Sequence, residues 1–352
     1  MNLLDKPRLV EKLKAFYDYT KANHGQIGTK QRGIDLNLNN ACNLTCKYCF
    51  TNSPIGDHAK DTLDLDMVAS IADQADELGI FEFDLQGGEL LLRPELLFQA
   101  IEAIQPERFY LYLTTNGYFL DKVMAQRLAD AKVGRVSVSV DSFDEKTHDA
   151  IRGRKESWRR AMAGLKNVQE VGMHPYLNIT VGHYNAFSED IELLCQYSED
   201  HNYTTLLNVA VPSGMWLKID KMIEIVVDEK DKARLMELRK KHRNILRNLW
   251  NPFDKHYESV LGCNTVNRMY ITPLGDVLAC PYVHIKIGNV YENTLEEIRD
   301  YGFSIKHFNQ YSSLCLAGED TEFIQKYMSF EGQSIFDPAI AQEIFNKDDF
   351  VN

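Results

Sequence analysis

The sequence lacks any run of eighteen apolar residues, and residues 1–6 lack the basic segment leading into an apolar stretch that marks a secretory signal. A membrane-spanning helix needs about 20 consecutive apolar residues, so none is expected here. The rest of the composition is that of an ordinary globular protein, with 44% hydrophobic and 26% charged residues. These absences predict a cytoplasmic protein that does not bind a membrane.

An excess of positive charge is also missing, because the formal net charge is −12. Such a charge disfavours nonspecific binding to nucleic acids and anionic membranes, so a nucleic-acid substrate is not expected. A disulfide framework is equally disfavoured, since the chain has seven cysteines, an odd number. Reduced thiols that hold a metal are the expectation instead.

Three cysteines, Cys42, Cys46 and Cys49, stand close together just after an apolar stretch, separated by three and then two residues. Closely spaced thiolates suit an iron-sulfur site, and three of them leave one iron of a four-iron cluster without a protein ligand. The alternatives are a structural zinc site and a chance cluster. Zinc normally takes four ligands, and the nearest further candidate, His58, lacks the usual finger spacing.

Strand-like runs alternate with helical patterns from about residue 33 to residue 211. The predicted strands are residues 33–38, 81–85, 109–114, 136–140, 176–181 and 206–211. Asp64 is expected to cap the first intervening helix and Pro94 to begin another. Six such units predict a parallel sheet with helical crossovers, whose functional residues lie at the carboxyl ends of the strands. A charged helix is expected over residues 228–249.

Glycine and polar residues follow the second, third and fourth predicted strands, and an arginine near the rim of the sheet follows the fourth. Paired glycines allow a ligand to approach the backbone, a carboxylate can bind an ammonium, and an arginine can form a two-pronged pair with a carboxylate. The alternatives are a glycine turn, polar loop caps and a surface arginine. The candidates are Gly87, Gly88, Glu89, Asn116, Ser139, Asp141 and Arg152.

A second group of cysteines, Cys263, Cys280 and Cys315, lies beyond residue 257. Around Cys280 the sequence predicts a hairpin of two short strands joined at residues 273–276, which would bring two of the thiols to one metal. The alternative is three thiols packed in the core. Cys195 lies on an apolar helical face and is expected to be core packing.

These motifs resemble two known families. The 42–49 stretch, with Tyr48 just before its last cysteine, the Gly87-Gly88-Glu89 stretch and the 147–153 stretch resemble the radical S-adenosylmethionine superfamily. Gly275 and Cys280, with their neighbouring cysteines, resemble the SPASM module or its shortened twitch form. The resemblance implies a partial (β/α)6 TIM-type barrel followed by a small α+β cluster-binding module.

The resemblance also implies cofactors and roles. A 4Fe-4S cluster would be held by Cys42, Cys46 and Cys49, and one auxiliary cluster by Cys263, Cys280 and Cys315. A non-cysteine ligand such as Glu319 or Asp320, the substrate or an open iron would fill the fourth auxiliary position. S-adenosyl-L-methionine would lie against Tyr48, Gly87, Gly88, Glu89, Asn116, Ser139, Asp141 and Arg152.

The implied activity is reductive cleavage of S-adenosylmethionine to a 5′-deoxyadenosyl radical, which removes a substrate hydrogen. Oxidation, epimerisation or crosslinking would follow, on a small molecule of the sugar or aminocyclitol type or on a peptide, with flavodoxin or ferredoxin as the reducing partner. Residues 203–216 are expected in the substrate wall. No catalytic residue is assigned, although Cys195 is kept as a hypothetical hydrogen donor. The alternative is a non-enzymatic iron-sulfur electron carrier or redox sensor.

The expected organisation has five parts. They are an N-terminal helical segment (1–29), the radical core (30–215), a helical connector (216–257), the SPASM or twitch-like module (258–320) and a C-terminal helical tail (321–352).

Overall fold

The computed structural model describes residues 5–53, 61–218, 222–254, 259–328 and 333–351, and His58 lies outside this part. Its strands form a single sheet in the order β11-β10-β9-β8-β1-β2-β3-β4-β5-β6-β7. The first seven are β1 (Gly33–Asn37), β2 (Glu82–Gln86), β3 (Tyr110–Thr115), β4 (Arg135–Ser139), β5 (Pro175–Val181), β6 (Thr204–Val209) and β7 (Ile245–Leu246). The others are β8 (Arg268–Ile271), β9 (Asp276–Cys280), β10 (Val283–Asn289) and β11 (Ala339–Ile340).

The six predicted strands are confirmed as β1 to β6, with bounds that differ by one or two residues, and each pairs with the next in parallel. The parallel sheet continues at both ends, since β7 pairs with β6 and β8 with β1. Within the described residues, β7 and β8 do not pair with each other. The result is a partial barrel, as the resemblance implied.

Helices cover the outer face of this sheet. They are α1 (Pro7–Ala22), α2 (Leu65–Glu77), α3 (Pro94–Ile104), α4 (Lys122–Asp130), α5 (Glu145–Arg152), α6 (Ser157–Glu170) and α7 (Glu189–Asp200). Further along the chain follow α8 (Met222–Ile225), α9 (Glu229–Lys241), α10 (Leu295–Ser304), α11 (Lys306–Asn309), α12 (Thr321–Tyr327) and α13 (Ala341–Ile344). Asp64 caps α2 by accepting from the backbone N–H groups of Asp66 and Met67, and Pro94 begins α3, as predicted.

The hydrophobic core lies between the sheet and these helices. Outward-facing strand residues such as Ile34, Phe83 and Leu111 are fully buried against helix residues such as Ile71 and Leu97. The alternate strand positions face the barrel interior, because successive side chains point to opposite faces of a sheet. Many of these interior residues are polar, and they form the wall of a cavity described below.

Two sequence expectations need correction. The predicted helix over residues 228–249 ends at Lys241, since Ile245 is buried as a strand residue beside Thr205 of β6. The C-terminal tail is not purely helical, because Ala339 of β11 pairs with Ile285 of β10. Both corrections have one cause. Each short strand forms by pairing with a strand at the edge of the sheet, and its local sequence does not predict that contact.

The predicted hairpin is confirmed as β8 and β9, which pair antiparallel. Because β8 also pairs with β1, the C-terminal module continues the barrel sheet. A capping box between Thr294 and Glu297 begins α10, in the linker that follows the hairpin. Among the described helices, none has the length and apolar character needed to cross a membrane.

Candidate functional site

The first cysteine triplet lies on the loop after β1, at the carboxyl end of the strands. All three cysteines line a cavity of about 210 Å³ that extends into the barrel. The end of α5 holds this loop, because Thr45 N donates to Arg152 O (3.2 Å) and Lys47 N donates to Ile151 O (3.1 Å). At Gly153, a Cβ would lie 2.1 Å from Thr45 Oγ1, and φ is +70°. Glycine is therefore required where α5 meets the cysteine loop.

The spacing of the thiols fits a cluster better than a single zinc ion. Zn–S bonds of about 2.3 Å place tetrahedral sulfur ligands roughly 3.8 Å apart. Among the described residues, neither cysteine triplet has its three sulfur atoms all within 4.8 Å of one another. Burial raises the pKa of Cys42 to about 12 and that of Cys46 to about 11, so these thiols need positive metal charge to become thiolate ligands.

The Gly87-Gly88-Glu89 loop packs directly against the segment that leads to Cys42. Gly88 N donates to Asn39 O (3.0 Å), and Glu89 N donates to Ala41 O (2.8 Å). A Cβ on Gly88 would lie 2.3 Å from Ala41 O, so only glycine permits this approach. Both glycines line the cavity.

The Glu89 carboxylate is buried behind the cavity wall and forms four hydrogen bonds. Its two oxygens accept from Thr115 Oγ1 (2.8 and 2.9 Å), Asn116 N (2.8 Å) and Leu91 N (3.0 Å). Burial raises the pKa of Glu89. The carboxylate thus joins the loops after β2 and β3, and its predicted contact with the cofactor stays a prediction.

Asn116 lines the cavity and continues this network to the cysteine loop. Its Nδ2 donates to Asn43 Oδ1 (2.9 Å), and Asn43 directly follows Cys42. Ser139, at the end of β4, also lines the cavity. The structure therefore brings the predicted residues from three strand ends to one wall.

Arg152 lies at the cavity beside Cys46 and Tyr48. Its Nε donates to Asp141 Oδ2 (2.5 Å), its Nη1 lies 3.8 Å from Cys46 Sγ, and its guanidinium carbon lies 5.3 Å from the Tyr48 ring centroid. Asp141 is buried, and its second oxygen has no hydrogen-bond partner within the described part of the chain. Asp141 and the other nearby negative groups raise the pKa of Arg152, which stays protonated.

Two further predictions are confirmed by position. His148 is structural, since its Nδ1 accepts from Asp141 N (3.2 Å) and burial lowers its pKa to about 4. Cys195 is fully buried in the core on α7. It is absent from the described cavity wall, so its position does not support the hydrogen-donor hypothesis.

The expected substrate wall after β6 is only partly confirmed. Tyr203 is absent from the described wall, whereas several residues from Leu206 onward line the cavity. Trp216 packs on Tyr48 with ring centroids 5.1 Å apart, and Met215 N donates to Cys49 O (3.0 Å). This stretch therefore encloses the cysteine loop as well as the cavity.

The second cysteine triplet comes together as predicted. Cys263, Cys280 and Cys315 line one cavity of about 100 Å³. Burial raises the pKa of Cys280 to about 12 and also raises the pKa of Cys315. A cavity lined by all three thiols fits a cluster.

The two acidic residues suggested as a fourth ligand already have partners. Glu319 Oε2 accepts from Arg247 Nη2 (2.6 Å) and from Cys315 N (2.8 Å), and the side chain is buried. Asp320 caps α12 by accepting from Phe323 N (2.9 Å). Both carboxylates thus stabilise the loop that carries Cys315.

The two cavities share part of their walls, including Asp35, Arg268 and Tyr282. Tyr282 packs against Phe50, the residue after Cys49, with ring centroids 5.2 Å apart. Arg268 binds Asp35 and lies 3.3 Å from Asp84 Oδ2. Sequence reasoning missed these interior residues. Their signal in the sequence is the alternation of polar and apolar residues along the strands, in which the polar positions face the interior.

Comparison with known proteins identifies the class of this site. Residues 36–197 match the family described as the radical SAM superfamily, and residues 263–315 match the iron-sulfur cluster-binding domain SPASM. The chain therefore carries a radical SAM domain over residues 36–197 and a SPASM domain over residues 263–315. Its cofactors are 4Fe-4S clusters and S-adenosylmethionine, and the alternative of a zinc site is set aside.

Several named proteins are similar to this chain. A probable GTP 3′,8-cyclase of Sulfolobus acidocaldarius is 28% identical over 274 residues, covering 74% of this chain and 84% of that protein. Another from Methanococcus maripaludis is 34% identical over 153 residues, covering 43% of this chain and 49% of that protein.

Solved structures share the fold. The structure of native anSMEcpe with bound AdoMet has a TM-score of 0.58 at 18% identity, covering 85% of this chain and 84% of that one. Streptococcus suis SuiB bound to precursor peptide SuiA has a TM-score of 0.58 at 17% identity, covering 82% and 68%. These identities establish the fold alone.

Proposed function

We propose that this enzyme binds a small polar molecule or a peptide side chain inside the barrel, between the two cysteine triplets, and removes a hydrogen atom from it. The observation that carries the proposal is the shared wall of the two cavities, formed in part by Asp35, Arg268 and Tyr282. A substrate there would lie between both cluster sites.

In this proposal Cys42, Cys46 and Cys49 hold the first cluster. Gly87, Gly88, Asn116, Ser139 and Arg152 form the surface that binds S-adenosylmethionine, because all five line the cavity beside these thiols. When bound, the cluster and S-adenosylmethionine together supply the 5′-deoxyadenosyl radical that removes the hydrogen atom.

Buried residues hold these groups in position. Glu89 fixes the backbone of Asn116, and Asp141 fixes Arg152 through Nε. Arg152 then presents a cation to the carboxylate of S-adenosylmethionine. Tyr48 and Trp216 cover the same end of the cavity with apolar surface, which excludes water from the reacting groups.

For the second site, Cys263, Cys280 and Cys315 are proposed to hold one auxiliary cluster. Because Glu319 is committed to Arg247, we propose that the fourth position is left for the substrate or stays open. The functional core is proposed as residues 30–215 and the module as residues 258–320.

We propose oxidation, epimerisation or crosslinking as the outcome, with flavodoxin or ferredoxin as the electron donor. A second candidate is the cyclisation of GTP, which is favoured by the names of the relatives. These two candidate functions have different substrates, and both use the same residues to bind S-adenosylmethionine.

The test is formation of 5′-deoxyadenosine by the anaerobically reconstituted protein with dithionite and S-adenosylmethionine. We expect formation in the wild type, loss in Cys46→Ala and retention in Cys195→Ala, whose thiol lies in the core. No 5′-deoxyadenosine from the wild type would favour an electron carrier or sensor. GTP is then added: a new purine product supports cyclisation, whereas unchanged GTP removes that candidate.

A further inference from the structure

We propose that Arg135 binds an anionic group of the substrate, a carboxylate or a phosphate, inside the barrel. This inference rests on the proposed function, because it takes the barrel cavity as the substrate site. Arg135 is the first residue of β4 and lines the same cavity as the first cysteine triplet.

Arg135 is held in place without an acidic partner. Its guanidinium carbon lies 4.6 Å from the ring centroids of both Tyr112 and Tyr176, and its Nε donates to Ser137 Oγ (2.9 Å). Throughout the described ranges, no carboxylate lies within ion-pair distance of Arg135. The nearby Glu82 is committed to Arg32 Nε (2.7 Å) and the Tyr112 hydroxyl (2.7 Å).

The other arginines of this cavity differ from Arg135. Arg152 pairs with Asp141, and Arg268 pairs with Asp35 and Asp84. Three described arginines line this cavity. Of these three, only Arg135 has no protein acceptor for its two Nη atoms. Arg135 is half-buried, so its guanidinium remains accessible and can donate to an anion in the cavity. Its planar fork matches a carboxylate or a phosphate.

The guanidinium of Arg135 is displaced along β4 toward the carboxyl end of the strand, because its Nε donates to Ser137 Oγ, two residues further along. A strand rises about 3.3 Å per residue, so Ser137 is roughly 7 Å from Ser139, the last residue of β4. An anion bound by Arg135 would therefore lie inside the barrel, below the carboxyl end of the strand.

The experiment measures binding of two anions, inorganic phosphate and glutarate, to the reconstituted protein by calorimetry at low ionic strength. The variants are Arg135→Gln and Arg135→Lys, with Arg160→Gln as the matched control. Arg160 is an exposed arginine that also packs over a tyrosine, with 5.4 Å to the Tyr118 centroid, outside the described cavity wall. Iron content verifies that each variant is assembled.

We expect the wild type and Arg160→Gln to bind at least one anion equally well. Arg135→Gln should bind it about 10- to 100-fold more weakly, as expected for loss of a charge-assisted hydrogen bond, and Arg135→Lys should fall between. Preference for phosphate indicates a phosphorylated substrate, and preference for glutarate an acidic side chain or carboxylate. If Arg135→Gln fails to assemble, the anion affinity of Arg135→Lys is compared with that of the wild type and of Arg160→Gln, and a weaker affinity supports the proposal.

The inference is overturned if the wild type binds neither anion, if the Arg135 variants bind as the wild type does, or if Arg160→Gln loses as much affinity. Formation of 5′-deoxyadenosine separates this result from the proposed function. Arg160→Gln, whose side chain is exposed and outside the described cavity wall, should retain that reaction. A wild type that forms no 5′-deoxyadenosine defeats the proposed function, whatever anions it binds.

Discussion

Replacing Glu89 with Gln tests the network that joins the loops around the first cysteine triplet. Glu89 Oε1 accepts from Leu91 N (3.0 Å), and Oε2 accepts from Asn116 N (2.8 Å). Either orientation of a glutamine amide therefore places its NH2 group against a buried backbone N–H. One unpaired buried donor costs about 1–3 kcal/mol, and weakening of the remaining charge-assisted bonds brings the total to roughly 2–4 kcal/mol.

The assay is urea unfolding of the metal-free chain under anaerobic conditions, followed by circular dichroism. Glu95→Gln is the control, because Glu95 has 79% side-chain exposure and an ion pair of 3.1 Å with Arg127. That surface pair is worth about 0–1 kcal/mol. We also expect Glu89→Gln to weaken binding of S-adenosylmethionine, since Asn116 shifts. A cost for Glu89→Gln no greater than that for Glu95→Gln would refute this reasoning.

Three other predictions follow from the same region. Gly88→Ala places a Cβ 2.3 Å from Ala41 O, so the iron bound at the first site should fall. Gly172→Ala is the control, because a Cβ there meets open space at φ +80°. It should cost about 1 kcal/mol of backbone strain and leave the iron content unchanged. Arg152→Lys loses the two-pronged fork and should bind S-adenosylmethionine about tenfold more weakly in equilibrium dialysis, and unchanged binding would remove Arg152 from the site. Burial lowers the folded-state pKa of His148 to about 4, so the unfolded chain binds more protons between that pH and about 6.5. Stability of the metal-free chain should therefore fall as pH decreases through this window, and His148→Asn should flatten that part of the pH profile.

The parallel core was predictable because its signals are local. Each strand from β1 to β6 carries β-branched, aromatic or leucine residues between turn signals, and Asp64 and Pro94 mark helix starts by their own chemistry. The short strands β7 and β11 were not predictable, since each has two residues and exists only through pairing with a neighbouring strand. Their partners are set by tertiary structure.

The candidate site was likewise only partly predictable from the sequence. The cysteine triplets were found because their residue type and spacing are specific, and the structure places each triplet on one cavity. The positioning role of Glu89 was not predictable, because it depends on the loop after a different strand. Arg135 and Asp35 were also missed. A polar position in a strand does not predict a binding site by itself, and only the barrel places these positions around a common interior.

We propose that this chain holds two iron-sulfur clusters that face one substrate space. The most direct test is iron and acid-labile sulfide per chain after anaerobic reconstitution, in the wild type and in the triple variant Cys42→Ala/Cys46→Ala/Cys49→Ala. We expect about eight irons in the wild type and about four in the variant, with the remaining irons held by Cys263, Cys280 and Cys315. About four irons falling to none would contradict it and would leave the second triplet as structural thiols.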